Sequence, residues 1–470
     1  MKLRNIVTIL ASAALLTACD DVFTPAAENM KDINTIQDDP ILAKGFVLTA
    51  YRNIPNYECG TGTDVATDDA VTNEKGANWS KYATGSWTVQ SWDPTGRWNS
   101  DLSSIQYLNL FLSTDISKIQ FLHNEYRNKL IQRRLTGEAY GLRAIHAYYL
   151  LRAHAGFDSE GKLLGSQLFD SFVGTDADFN QPRKTFQEQI DYILTNIEEA
   201  DKLLPMDYNP VTSDAQVPSK YDDILNVPEI TSIADMKMGM YNDVMGTSAR
   251  QLVCGLILPA IQDPTQNNVT WAQAADAAAE VIDYVGGPSG LAANGLTYYA
   301  NKDEIANIKE GANPAEIIWR TSKNDSEISD EQNNFPPSLY GSGRTNPTQN
   351  LVDAFPAANG YPITDDRSDY DPANPYANRD PRLAMYILYN GGTAGTKNEV
   401  IKTGSSLGTD DGIGRRDAST RTGYYMKKML RQDANCNPTS TSKVSKYTCK
   451  ARFTEFFLDY AEAANEAWGP

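Results

Sequence analysis

Apolar residues recur every three or four positions through residues 133–157, which is the spacing of an amphipathic helix. One apolar row runs along positions 135–153, and a second row, along 144–155, lies on another side of the same helix. A helix that is apolar on two sides has to be covered from two directions. The pattern therefore predicts a central helix with neighbouring helices packed on both sides of it.

Similar spacing predicts further helices over 41–54, 102–122, 186–204, 270–285 and 451–467, and a helix pair over 236–260. Thr185 and Glu188 form a capping box at the start of one of them. Residues 313–322 have the pattern of a strand, whereas 55–99 and most of 286–450 are rich in loop-forming residues. We therefore predict a mainly α fold, in which tetratricopeptide-like helix pairs pack against a loop-rich part with a few short strands.

The first residues have the pattern of an export signal. Lys2 and Arg4 precede a short apolar run over 6–16, and Leu-Thr-Ala-Cys then ends at Cys19. This order is typical of a bacterial lipoprotein signal peptide over 1–18, with Cys19 as the lipidated N-terminus. Residues 19–40 are polar and are expected to form a tether between lipid and fold.

Composition and motifs narrow the classes of function. The chain has 60 acidic and 42 basic residues and a net charge of −18, which disfavours nucleic-acid binding. With three histidines and no nucleophile elbow, zinc-protease motif or phosphate loop, the sequence favours a non-enzyme without cofactor or metal. The acidic cluster at 365–371 is expected to cap turns rather than bind calcium. Cys436 and Cys449 are expected to form a disulfide in an exported protein.

Aromatic residues give the best indication of a binding site. Four of the seven tryptophans lie within the 20 residues 79–98, in a polar loop. A flat aromatic ring buries area against the apolar face of a sugar ring while the sugar hydroxyls remain free for polar groups. The expected ligand-binding residues are three loop tryptophans, a neighbouring amide and a second wall farther along the chain: Trp79, Trp92, Trp98, Asn99, Tyr340 and Arg344.

Several segments together resemble one known family. GEAYGLRAIHAYYLLRAHAG at 137–156, PTQNLVDAF at 347–355, RDPRL at 379–383, TGYY at 422–425 and YAEA at 460–463 follow in an order similar to that of SusD/RagB proteins. Those are surface lipoproteins of Bacteroidetes that capture nutrients, mostly glycans. In that family a further helical segment follows the YAEA helix, so the resemblance also predicts that this sequence is truncated at its C-terminus.

The resemblance implies a single SusD-like domain over 41–470, with helices mostly in 41–54, 100–285 and 451–467. It implies a non-catalytic glycan-binding protein, lipid-anchored to the outer membrane at the cell surface. Its partner would be a SusC-like TonB-dependent transporter that receives the glycan. Capture of peptides by a RagB-type protein is the main alternative, and a surface hydrolase or a scaffold for the transporter are two others.

Overall fold

A computed structural model describes residues 33–55, 62–91, 93–174, 177, 179–231, 236–246, 269–309 and 312–469. Several sequence predictions lie outside these residues: the signal peptide over 1–18, the lipidation of Cys19, most of the tether over 19–40, the role of Trp92 and most of the helix pair over 236–260.

The described part of the chain is mainly helical, as predicted. Its α-helices are α1 (Pro40–Arg52), α2 (Ser80–Ala83), α3 (Trp98–Ser113), α4 (Glu125–His154), α5 (Phe186–Leu203), α6 (Asp222–Leu225), α7 (Pro228–Thr231), α8 (Met236–Tyr241), α9 (Trp271–Tyr284), α10 (Lys302–Ala306), α11 (Ser329–Asn334), α12 (Gln349–Ala354), α13 (Pro381–Tyr386) and α14 (Phe453–Trp468). None of the helices in the described ranges is both long and apolar enough to cross a membrane.

Short strands pair two by two, each pair antiparallel. The strands are β1 (Ala70–Thr72), β2 (Gly156–Phe157), β3 (Leu163–Leu164), β4 (Ile317–Arg320), β5 (Asn324–Glu327), β6 (Thr345–Pro347), β7 (Ile387–Leu388), β8 (Thr393–Ala394), β9 (Glu399–Val400), β10 (Tyr425–Met426), β11 (Val444–Lys446) and β12 (Cys449–Arg452). The pairs are β1 with β6, β2 with β3, β4 with β12, β5 with β11, β7 with β10 and β8 with β9.

Helix α4 is the centre of the helical part, as its two apolar rows predict. One side packs into a cluster with α5 through Ala144, Ala147, Leu150 and Leu151. The other side packs against α1 and α3 through Leu135, Ala139, Leu142 and Ile145. At the crossing with α5, a Cβ on Gly137 would lie 2.7 Å from Cγ of Leu204, so only glycine allows this close approach.

Some predicted boundaries differ from the structure because local backbone chemistry decides them. Helix α4 spans Glu125–His154 rather than 133–157, and it ends at His154 because Ala155 is already extended and Gly156 enters β2. The RDPRL segment contains the start of a short helix, α13, within the part of the chain predicted to be rich in loops. There Asp380 accepts a hydrogen bond from the backbone N–H of Arg382, and Pro381 occupies the first turn.

Other sequence predictions are confirmed. Helix α5 begins with the capping box formed by Thr185 and Glu188. Trp319 is buried in β4, as expected for a core strand. Helix α9 begins at Trp271, and its alanine-rich face packs against α14.

The predicted disulfide between Cys436 and Cys449 is wrong. Both side chains are buried, and no disulfide joins them. Cys436 packs in an apolar cluster with Phe335, whereas Cys449 packs in a different cluster with Tyr298. Burial raises the pKa of Cys436 to about 11, which keeps it protonated as a small apolar side chain.

A buried polar junction joins α1, α3 and α4. The guanidinium of Arg97, just before α3, donates to both oxygens of Asp101, at 3.0 and 2.6 Å. It also donates to the carbonyl oxygen of Asn53 at the end of α1. The Nδ1 of His146 on α4 lies 2.8 Å from Asp101, which is completely buried. Three helices are thus tied to one carboxylate.

We expect Asp101→Ala to lower the free energy of unfolding by about 3–5 kcal/mol, because it leaves the buried Arg97 charge without its partner. Chemical denaturation followed by circular dichroism measures the change. The matched control is Asp191→Ala on the exposed face of α5, which should change the free energy by less than about 0.5 kcal/mol. An Asp101→Ala loss as small as that of the control would contradict this account of the junction.

Candidate functional site

Two loops that the sequence predicts to bind ligand meet at one short sheet. Strand β1 leads into the tryptophan-rich loop, and the loop 340–344 leads into β6, its antiparallel partner. The side-chain amide of Asn73 donates to the carbonyl oxygens of Ser342 and Gly343, each at 2.9 Å. The bases of the two loops are therefore held together.

The loop 340–344 presents its two predicted residues at the surface. Tyr340 is 55% exposed. The guanidinium of Arg344 is also partly exposed and lies 4.0 Å from the carboxylate of Glu74 in the facing loop. Between them, Gly343 has a φ of 54°, and a Cβ there would lie 2.3 Å from the carbonyl oxygen of Ala418. This position therefore requires glycine, and it fixes the course of the loop.

The first loop carries a row of three contacting aromatic rings, which we call the aromatic row: Trp79, Tyr82 and Trp87. The ring centroids of Trp79 and Tyr82 lie 6.3 Å apart. Those of Tyr82 and Trp87 are also 6.3 Å apart, with the ring planes only 14° from parallel. Trp87 is 38% exposed, and the other two rings are half-buried. The row thus offers aromatic surface to solvent from a defined position.

Asp93 holds the middle ring of the row in place. The hydroxyl of Tyr82 donates to Oδ1 of Asp93, and the backbone N–H and hydroxyl of Thr95 donate to the same oxygen at 2.8 and 2.7 Å. Burial opposes the ionisation of Asp93, but these hydrogen bonds outweigh it and hold its pKa below the ordinary value. Burial and the bond to Asp93 raise the pKa of Tyr82. At neutral pH the pair is an ionised carboxylate and a neutral phenol.

The same loop is anchored to the end of α4 through His154. The backbone N–H of Arg97 donates to Nε2 of His154 at 3.0 Å. Burial lowers the pKa of His154, so the ring is neutral at neutral pH and Nε2 can accept this bond. The rings of His154 and Trp98 also meet nearly at right angles, at a centroid distance of 5.5 Å. Both ends of the aromatic loop are thus tied to regular structure.

The predicted ligand-binding residues fall into three groups. Trp79 belongs to the aromatic row, and Tyr340 with Arg344 lies on the facing loop. Trp98 and Asn99 are the first residues of α3; Trp98 is 37% exposed and Asn99 is exposed. Among the described contacts, none joins Trp98 or Tyr340 to the aromatic row. Their roles remain predictions.

The predicted set leaves out Tyr82, Trp87 and Asp93. One signal was available in the sequence, because Trp79 and Tyr82 stand three residues apart and a single helical turn brings such residues together. The contact between Tyr82 and Asp93 spans a loop without any periodic pattern. Only the folded structure shows it.

Other polar residues that could suggest chemistry have structural roles. His146 is completely buried in the junction with Asp101. Glu138 accepts a hydrogen bond from the guanidinium of Arg134 at 2.7 Å and is buried. Asp365 and Asp371 accept hydrogen bonds from backbone N–H groups two residues later, so the prediction that they cap turns is confirmed. Within the described ranges, no group of His, Cys, Asp or Glu forms a metal-binding cluster.

A cavity of about 630 Å³ lies beside the sheet that joins the two loops, between β1, β6, β12 and α14. Its walls include Tyr298, Phe355, Tyr386 and Leu458, and none of the predicted ligand-binding residues that the structure describes lines it. The ammonium of Lys428 lies 5.2 Å from the ring centroid of Tyr386, one of these wall residues.

Two family sequence models match this chain. Residues 315–470 match that of the SusD family, and residues 26–219 match that of a family described as starch-binding associating with outer membrane. The matches thus cover both the N-terminal helices and the last helix. Among curated protein sequences, none matches this chain.

Three solved structures with a similar fold come from Bacteroides species. A SusD-like protein from Bacteroides fragilis is 19% identical, with a TM-score of 0.61 over 95% of this chain and 78% of the other. A SusD-like carbohydrate-binding protein from the same species is 17% identical, with a TM-score of 0.60 over 92% and 75%. A SusD superfamily protein from Bacteroides vulgatus is 13% identical, with a TM-score of 0.52 over 93% and 76%.

At such low identities the structural likeness concerns the fold. The two family models add independent matches in the sequence itself, one at each end of the chain. The mainly α architecture around α4 agrees with the structural likeness and with the two family models. The chain belongs to the SusD/RagB family.

Proposed function

We propose that this protein is a non-catalytic, cell-surface lipoprotein that binds glycan chains and delivers them to a SusC-like TonB-dependent transporter. The observation that carries the proposal is the aromatic row. Sugar rings have one face of C–H groups, and stacking that face on an aromatic ring removes apolar area from water. Trp79, Tyr82 and Trp87 offer such rings side by side on a surface loop.

The row is suited to binding because its geometry is set before a ligand arrives. Asp93 fixes Tyr82 by a hydrogen bond, and Tyr82 lies nearly parallel to Trp87. Ordering of side chains on binding costs affinity, so a site that is already ordered loses less.

The comparisons and the charge support glycan as the ligand class. One matched family is described as starch-binding, and one structural neighbour is described as carbohydrate-binding. The net charge of −18 disfavours polyanions such as nucleic acid as general partners. Nothing in the comparisons favours the alternative of peptide capture.

The proposal that the protein is non-catalytic is supported by how its candidate acid–base groups are used. His146 is enclosed in the helix junction, and the Nε2 of His154 accepts a backbone hydrogen bond. Glu138 is committed to Arg134 inside the helical core. A general acid or base has to reach its substrate, and these groups face other protein groups instead.

Anchoring and delivery rest on the N-terminal sequence and on the family. Cys19 closes a lipobox, and lipid chains on it would hold the protein at the outer membrane. The tether predicted over 19–40 would be shorter than expected, because Ile36 is already buried in the helical core, and residues 19–32 would let the fold stand away from the surface. Stacked helices such as α4 and α5 present extended surfaces of the kind that bind partner proteins, here the transporter.

We expect Trp87→Ala to weaken binding of a neutral oligosaccharide about tenfold, which corresponds to about 1.4 kcal/mol, because one stacking ring is lost. Isothermal titration calorimetry measures this on the chain expressed from residue 19 with Cys19→Ser, screened against neutral gluco-, manno- and galacto-oligosaccharides. Trp468→Ala, which removes an exposed tryptophan at the end of α14, is the matched control and should bind normally. Equal affinity of both variants, or no binding of any glycan, would contradict the proposed site.

Anchoring and delivery are tested in cells. A strain that lacks the protein should grow poorly on the bound glycan, and the native chain should restore growth. The Cys19→Ala chain should restore it only partly, because it lacks the sulfur to which lipid is attached. Unchanged growth of the deletion strain would count against delivery, and full restoration by Cys19→Ala would count against anchoring.

A further inference from the structure

The two carboxylate oxygens of Asp93 differ in the hydrogen bonds that they accept. Oδ1 accepts the hydroxyl of Tyr82 and both donors of Thr95. Among the described residues, none donates a hydrogen bond to Oδ2. Asp93 is also only partly buried, so Oδ2 retains hydrogen-bonding capacity beside the aromatic row.

The charge of Asp93 is not balanced by an ion pair within the described part of the chain. Lys81 precedes Tyr82, the partner of Asp93, but its ammonium donates a hydrogen bond to the side-chain oxygen of Asn78 at 2.9 Å. Arg97 is committed to the buried Asp101. His154 lies nearby but is neutral at neutral pH because burial lowers its pKa. The row therefore has an ionised, acceptor-only group at its edge.

The position of this group matters for a stacked sugar. Asp93 bonds to the hydroxyl of Tyr82, which marks the outer edge of the middle ring. A sugar ring that covers Tyr82 and Trp87 has its hydroxyls around its rim. One of these hydroxyls would come within reach of Oδ2, whereas a carboxylate or sulfate at the rim would meet a like charge.

We propose that Asp93 is a specificity-determining residue of this site, which accepts a hydrogen bond from a neutral sugar and selects against sugars that carry a carboxylate or sulfate. This inference rests on the proposed glycan-binding function and adds the ligand class. It follows from the unequal use of the two oxygens and from their position at the edge of the row.

The decisive variant is Asp93→Asn. The amide oxygen of Asn can still accept from Tyr82 and Thr95, so the row keeps its support, while the second oxygen becomes an uncharged donor. Calorimetry then compares each neutral oligosaccharide that binds with its C6-oxidised form, in which a –CH₂OH group is replaced by a carboxylate. The matched control is Glu198→Gln, which removes one negative charge from the exposed face of α5.

We expect the native site to bind the neutral form at least about tenfold more tightly than the oxidised form at low salt. In Asp93→Asn this ratio should fall to near one, while Glu198→Gln should keep it. In the native protein the ratio should also shrink between about 0.01 and 1 M salt, because screening weakens repulsion between exposed charges.

The outcomes separate the two proposals. Absence of binding to every neutral sugar would overturn the glycan-binding function, and the inference with it. Equal binding of neutral and oxidised sugars by the native protein would overturn the inference alone. A preference for neutral over oxidised sugars that is unchanged in Asp93→Asn would also overturn the inference alone.

Discussion

The ion pair between Arg97 and Asp101 connects the helical frame with the loop that carries the aromatic row. Asp101 is completely buried and also meets His146 of α4, while Arg97 reaches the carbonyl oxygen of Asn53 at the end of α1. A buried charge pair is tolerated only when its remaining hydrogen-bonding groups are satisfied. Here α1, α3 and α4 together satisfy them, so the position of Arg97 depends on the packing of three helices.

The conformation of the loop that carries the aromatic row is fixed by its attachment to this junction. The backbone N–H of Arg97 is held by His154, and a few residues earlier Asp93 holds Tyr82 against Trp87. The rings of the aromatic row are thus only a short way along the chain from a rigid anchor. The conformational entropy of these side chains is lost mainly on folding. Less of it remains to be lost when a ligand binds, so more of the stacking energy contributes to affinity.

The helical half of the fold could be predicted because its signals are local. The two apolar rows of α4 and the capping box of α5 lie within single elements. The site was only partly predictable, since the bond between Tyr82 and Asp93 joins positions of a loop that has no period. The disulfide prediction failed for a related reason. Distance along the chain does not decide which apolar cluster takes up Cys436 and which takes up Cys449.

The most direct test of this account is a crystal structure of the protein with a bound neutral oligosaccharide. The account predicts a sugar ring against Tyr82 and Trp87, with one hydroxyl donating to Oδ2 of Asp93. A sugar bound elsewhere, for example in the cavity beside α14, with the aromatic row uncovered, would contradict it.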